Sequence, residues 1–179
     1  MLNEILAYAE RTGLRSEPGF TVKTAKWAVI VTEQAEISGI TALGDGKNGL
    51  SFIRSPDLSQ GEMIAGGVTR SQFLIESLAV VALFYKADLD DKEQQKYLAK
   101  HQYFIAQLTL ASADCPELKP IADALNNPEQ REKLQNLLEN QQPKPKSTDS
   151  VTFLINNHYP LQSDTWHNWW RNQRQPAEA

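Results

Sequence analysis

The stretch Arg54–Ser77, RSPDLSQGEMIAGGVTRSQFLIES, constrains this chain most, because a polar loop passes through Gly66-Gly67 straight into a strongly apolar run. Seven of the nine glycines (Gly39, Gly44, Gly46, Gly49, Gly61, Gly66 and Gly67) fall between residues 39 and 67. The permissive backbone is therefore concentrated, as in a surface shaped to meet a ligand, rather than scattered as punctuation. After the loop, Gln72–Lys86 is expected to be helical. Thr69 and Gln72 are spaced as a capping box, and Phe73, Leu74, Leu78, Val81, Ala82 and Tyr85 form a wide apolar face.

Around this segment the pattern predicts an α+β fold, with a small antiparallel sheet packed on a helical bundle. Leu2, Ile5, Leu6 and Ala9 mark a short amphipathic helix stopped by Gly13. Glu17–Phe20 reads as a turn. Lys26–Thr32 and Glu36–Leu43 read as a hairpin of branched strands, Gly44–Gly49 as a turn, and Leu50–Ile53 as a returning third strand. Asp90 with Glu93 opens a helix whose stripe Tyr97, Leu98, His101, Phe104, Ile105 and Leu108 runs to about Ala113. Pro116 and Asn127-Pro128 open two shorter helices, the second with Leu134, Leu137 and Leu138 on its apolar side. Residues 141–149, beginning Gln141-Gln142-Pro143-Lys144-Pro145, read as an internal linker in a single domain covering 1–179. Val151–Ile155 is expected as a late strand. Trp166, Trp169 and Trp170 lie at helical spacing in a terminal helix starting near Ser163 or Asp164, and the final RNQRQPAEA reads as an exit.

Composition narrows the functional classes. Residues 1–80 carry nine acidic and seven basic side chains, 81–145 ten and eight, and 146–179 three and three, giving a net charge of −4. No segment is a polybasic arm, which argues against a free-standing non-specific DNA binder. There is no apolar run long enough to span a membrane and no basic-then-apolar leader, so the expected location is cytoplasmic. The single Cys115 excludes an intramolecular disulfide framework. It precedes Pro116 at a helix start, where a thiolate could be stabilised, but the sequence shows no oriented base. His101, His158 and His167 do not form a metal-binding pattern, and no catalytic residue, metal or cofactor is expected.

Gly66-Gly67 with Thr69, Arg70 and Ser71 at a helix start suits an anion, and the same letters also describe a plain tight turn. The three tryptophans suit either an anchor packed on the core or a surface docking a partner. They could also stack unpaired bases.

The order EPGF, KTAKWAVIVT, GGVTRSQFLIESLAVVALFYK, KYLAKHQYFIAQL and VTFLINNHYPLQSDTWHNWWR resembles the N-terminal part of the large subunit of the type I-C CRISPR Cascade complex. Gln72 stands where Asn is common in that family and Ile75 where Trp is common. The similarity covers most of residues 1–174, and the family's further C-terminal helical part has no counterpart here. The resemblance implies a non-enzymatic subunit, partnered by other Cascade subunits, guide RNA and a helicase-nuclease. Its implied task is to recognise the protospacer-adjacent motif on invader double-stranded DNA and to start duplex opening. On that reading Gln72 occupies the family's base-edge or wedge position. Local chemistry makes Gln60 a second reader, suits Arg70, Arg54, Lys23 and Lys26 to phosphates, and suits Thr69, Ser71, Gly66 and Gly67 to the loop's close approach. The alternative is a protein-interaction module docking through Trp166, Trp169 and Trp170 without touching nucleic acid.

Overall fold

The computed structural model describes residues 17–44 and 48–174. The expected helix at Leu2–Ala9, the centre of the Gly44–Gly49 turn and the last residues of the exit lie outside the described residues. The chain is α+β. Strands β1 (Phe20–Ala25), β2 (Trp27–Val31), β3 (Ile37–Ala42) and β4 (Leu50–Pro56) come first, followed by the short helix α1 (Gln60–Ile64) and a 3-10 turn at Ala65–Gly67. Then follow β5 (Glu76–Ser77), the single turn α2 (Leu78–Val81), and helices α3 (Asp91–Ala111), α4 (Leu118–Asn126) and α5 (Pro128–Glu139). β6 (Ser150–Ile155), a 3-10 turn at Pro160–Gln162 and α6 (His167–Arg174) close the fold.

The main sheet has the order β3-β2-β6-β5. The expected hairpin is its β2·β3 edge, and the late strand β6 lies parallel to β2, with Trp27 opposite Val151 and Val31 opposite Ile155. β2 (WAVIV) is buried along nearly its whole length, as a central strand covered on both faces must be. Leu50–Ile53 does return as a strand, but not against the hairpin. β4 pairs with β1 in a separate two-stranded sheet, and β1 itself, with its mixed FTVKTA pattern, carried no strand signal in the sequence reading.

The helices past residue 90 follow their caps. The Asp90 carboxylate accepts from the Glu93 amide at 2.8 Å, and α3 then runs about 30 Å with His101, Phe104, Leu108 and Ala111 inward. Asn127 caps α5 through the Glu129 amide at 2.9 Å, with Pro128 in the first turn, and Leu134 and Leu138 are fully buried. The terminal helix begins at His167, later than expected, so Trp166 precedes it.

The helix expected at Gln72–Lys86 is absent, and so is its Thr69–Gln72 cap. Phe73, Leu74 and Ile75 are extended or turned, β5 takes two residues, and α2 is a single turn. Leu74 sits at φ 62° and Leu83 at φ 52°, left-handed conformations that cost an L-residue about 1–2 kcal/mol. An apolar run buried on every side has no solvent face to enforce a 3.6-residue period, so its pattern does not specify helix. Here neighbouring elements complete the backbone hydrogen bonds. The Thr152 hydroxyl donates to Leu74 O at 2.8 Å, His101 Nδ1–H to Val80 O at 2.8 Å, and Gln135 Nε2 to Ala82 O at 2.9 Å. The Leu78 and Ala79 amides donate to Asp149 O and Ser147 O at 2.9 and 3.0 Å, tying residues 141–149 to the same segment. Burial pushes the His101 pKa down, against the bond to Val80.

Removing one of these donors is a direct check. Thr152 is 1% exposed, and Thr152→Val keeps its shape while orphaning the Leu74 carbonyl. Urea unfolding is expected to show a loss of about 1–3 kcal/mol; a loss below about 0.5 kcal/mol contradicts the role given to this bond.

Candidate nucleic-acid interface

The loop between β4 and the buried segment is a small structure on a braced base. Ser59 and Glu62 form a reciprocal capping box, the Glu62 amide donating to Ser59 Oγ at 3.2 Å and the Ser59 amide to Glu62 Oε1 at 3.3 Å. The signature Ser-x-x-Glu stands in the sequence at 59–62, ten residues before the cap expected at Thr69. Five residues of helix do not hold themselves together in water, so α1 depends on what grips its ends. Arg174 from α6 grips Glu62 with two bonds, Nε to Oε2 at 3.0 Å and Nη2 to Oε1 at 2.7 Å. Arg70 Nη1 donates to the Glu62 and Ala65 carbonyls at 3.0 and 2.7 Å, satisfying acceptors at the helix's C-terminal end.

Gln72 closes the base of the loop. Its Nε2 donates to Leu58 O at 3.0 Å while its Oε1 accepts from the Leu58 amide at 2.8 Å and from Lys23 Nζ at 3.2 Å. The amide thus copies a strand neighbour and fastens the two ends of the loop. Both its donor and its acceptor are thus engaged inside the chain, at the base of the loop and not at its exposed end. Ser71 is also withdrawn, 1% exposed with its hydroxyl donating to Gln72 O at 3.0 Å.

Above this base the other predicted residues are open. Gln60 and Thr69 are exposed. Gly66 and Gly67 have φ of 68° and 73°, and a Cβ on either would meet nothing within 4 Å. These glycines serve left-handed backbone in open space, not close packing within the chain. Ile64 is 74% exposed and Val68 47%, so apolar side chains flank the glycine pair on the outside.

The four cations assigned to phosphates all have internal partners. Arg70 holds α1; Arg54 pairs with Glu17 at 3.0 Å and lies over the Phe20 ring at 4.6 Å. Lys23 pairs with Asp57 at 3.2 Å, and Lys26 lies 3.7 Å from Asp149. Burial pushes the Lys23 pKa down, with Asp57 opposing it. Only Arg54 and Lys26, with side chains 42% exposed, combine a charge with appreciable solvent access among these.

The tryptophans assigned to a partner are core residues, 0%, 7% and 3% exposed for Trp166, Trp169 and Trp170. Phe73 stacks on Trp170 at 5.5 Å and packs against Trp169 at 4.9 Å, while Phe20 stacks on Trp166 at 5.7 Å. Trp170 Nε1 donates to Gly19 O at 2.7 Å. They anchor α6 on the buried segment and offer no docking face. Cys115 is likewise interior, its thiol donating to Thr165 O at 3.0 Å, and burial pushes its pKa up, away from a reactive thiolate. Among the described residues no group of three or more His, Cys, Asp or Glu side chains could hold a metal, and no helix is long and apolar enough to cross a membrane.

The α1 brace has a pH signature. The Arg174 bond holds the Glu62 pKa below its ordinary 4.5, against burial and with help from Ser59. A depressed carboxylate contributes stability above its unfolded pKa and loses it as pH falls through the folded value. The stability gap between the protein and Glu62→Gln is therefore expected to be full at pH 7 and to close below pH 4.5. Chemical denaturation across that range checks it; a gap independent of pH contradicts the brace.

No protein-family model matches the chain, and no curated protein is a significant match to it.

Proposed function

We propose that the chain is the motif-reading subunit of an RNA-guided surveillance complex of the Cascade type, and that its α1 loop approaches the minor groove of duplex DNA. The observation that carries this reading is the exposed Gly66-Gly67 backbone beside Ile64 and Val68, standing on a base fixed by Gln72, Arg70 and Arg174. The order of segments shared with type I-C large subunits supports it. Left-handed glycines let the main chain enter a narrow groove, and exposed apolar side chains next to them suit a wedge between base steps. Gln60 and Thr69 supply side-chain donors and acceptors on the same loop.

In this account Gln72, Arg70 and Ser71 position the loop rather than read DNA. Arg54 and Lys26 can reach phosphates by exchanging Glu17 and Asp149 for the backbone, a weak contribution for a chain of net charge −4. Guide pairing and the other subunits supply most of the affinity, a division in which the protein reads only the short motif. Duplex opening and helicase-nuclease recruitment follow from that complex and involve no catalytic group of this chain. Docking through Trp166, Trp169 and Trp170 has no surface to act on, because all three side chains are inside.

The test is duplex binding by the complex assembled with guide RNA and its other subunits. Gln60→Ala combined with Thr69→Ala is expected to weaken binding to motif-bearing duplex about tenfold or more while assembly and thermal stability are unchanged, since a base-edge contact contributes about 1–3 kcal/mol. Equal binding of motif-bearing and scrambled duplex by the unaltered complex contradicts the reading. The isolated chain is expected to bind both duplexes weakly and alike.

A further inference from the structure

Helix α3 carries a row of cations that the rest of the chain leaves unanswered. Lys92, Lys96 and Lys100 stand at i, i+4 and i+8 and so form one ridge along the helix, about 12 Å from first to last. Lys92 and Lys96 are exposed and Lys100 is half-buried. None of their ammonium groups has a hydrogen bond or an ion pair among the described residues. Like charges at this spacing repel, and a helix face that serves only solvent answers a lysine with an acid three or four residues away. This chain uses that arrangement elsewhere: Lys119 pairs with Asp123 at 2.7 Å on α4. On α3 the acids Asp91 and Glu93 stand in the first turn, where they favour the helix start, and no acidic side chain follows from Gln94 to Ala111. In a chain of net charge −4 the ridge is a local reversal of sign.

The ridge leads to the loop. Tyr103 and Gln107 continue the same side of α3 beyond Lys100, and both line the cleft beneath α1 together with Glu62, Ala65 and Arg70. Arg70, which grips the C-terminal end of α1, also donates a hydrogen bond to the Tyr103 hydroxyl. From the loop toward the N-terminus of α3 this side therefore reads Gln107, Tyr103, Lys100, Lys96, Lys92. Glu62, the acid at the loop end, is already paired by its two bonds from Arg174. A line of cations that starts beside the loop suits a linear anion that passes the loop, and a strand of duplex DNA is one. Its phosphates follow at about 3.4 Å along the duplex axis, so the ridge meets about three or four of them. An acidic protein surface has no such need of a line.

We propose that Lys92, Lys96 and Lys100 track the phosphates of one duplex strand as it leaves the α1 loop. The proposed function supplies the ligand on which this rests, and the ridge supplies phosphate contacts from which Lys23 and Arg70 are withheld by their internal partners. Such contacts fix register and orientation and carry no sequence preference.

The test is duplex binding by the assembled complex across a range of salt, with Lys92→Gln, Lys96→Gln and Lys100→Gln combined in one chain. At low salt this variant is expected to bind motif-bearing and scrambled duplex more weakly by the same factor, about tenfold, and the slope of log affinity against log salt is expected to become shallower by about 2–3. The preference for the motif stays as it was. Arginine at the same three positions keeps the charges and is expected to bind as the unaltered complex does. Lys119→Gln, at a lysine already paired, is expected to change nothing. Removing the repulsion leaves the melting temperature of the glutamine variant unchanged or raised. The proposal is overturned by an unchanged salt slope, by a lowered melting temperature, which would make the lysines structural, or by loss of assembly, which would give the ridge to a protein partner. If the unaltered complex binds both duplexes alike, the motif-reading function fails, and the salt slope of the variant still decides the ridge.

Discussion

The fold depends on a buried stretch of chain, residues 71–84, that is neither helix nor sheet for most of its length. Such a segment can be interior only if its peptide groups find partners, because an unpaired buried carbonyl or amide costs about 1–3 kcal/mol. Thr152 from β6, His101 from α3 and Gln135 from α5 each reach a different carbonyl of this stretch, and Asp149 and Ser147 receive its amides. Three elements far apart in sequence are thereby held to one strip of backbone. Phe73, at the start of the strip, is the surface on which Trp169 and Trp170 pack, so the position of α6 follows from it as well.

From that strip the loop geometry follows. Gln72, next to Phe73, fastens Leu58 through both halves of its amide, and α6 delivers Arg174 to Glu62. Rigid packing below and an open glycine backbone above are two parts of one arrangement: the exposed residues make few contacts of their own and take their position from the buried ones. The same division accounts for the charge pattern. Lys23 and Arg70 serve the base and are engaged there, which leaves residues 59–69 without a cation; on the proposed function, DNA affinity would then come from the assembly.

Much of the architecture was legible because it rests on local chemistry. Asp90, Asn127 and Pro128 announce helix starts by hydrogen bonds within one turn, and the β2·β3 hairpin shows its branched residues and its polar link. The apolar run after Gly67 was misread because periodicity carries information only where one face meets water, and this run has none. The choice of β1 as the partner of β4 was hidden for another reason: strand pairing is non-local, and Phe20–Ala25 alternates too irregularly to declare itself. At the site, the exposure of the glycine pair could be read from the letters. The diversion of Gln72 into the base could not, since it depends on Leu58 lying opposite.

Hydrogen–deuterium exchange on the assembled complex, with and without motif-bearing duplex, tests the central claim that a fixed buried strip holds a free reading loop. The account predicts slow exchange at residues 71–84 in both states, and fast exchange at residues 59–69 that becomes slow only when the motif-bearing duplex is added. Exchange at 59–69 that is indifferent to the duplex, or exchange at 71–84 as fast as in the loop, would contradict it.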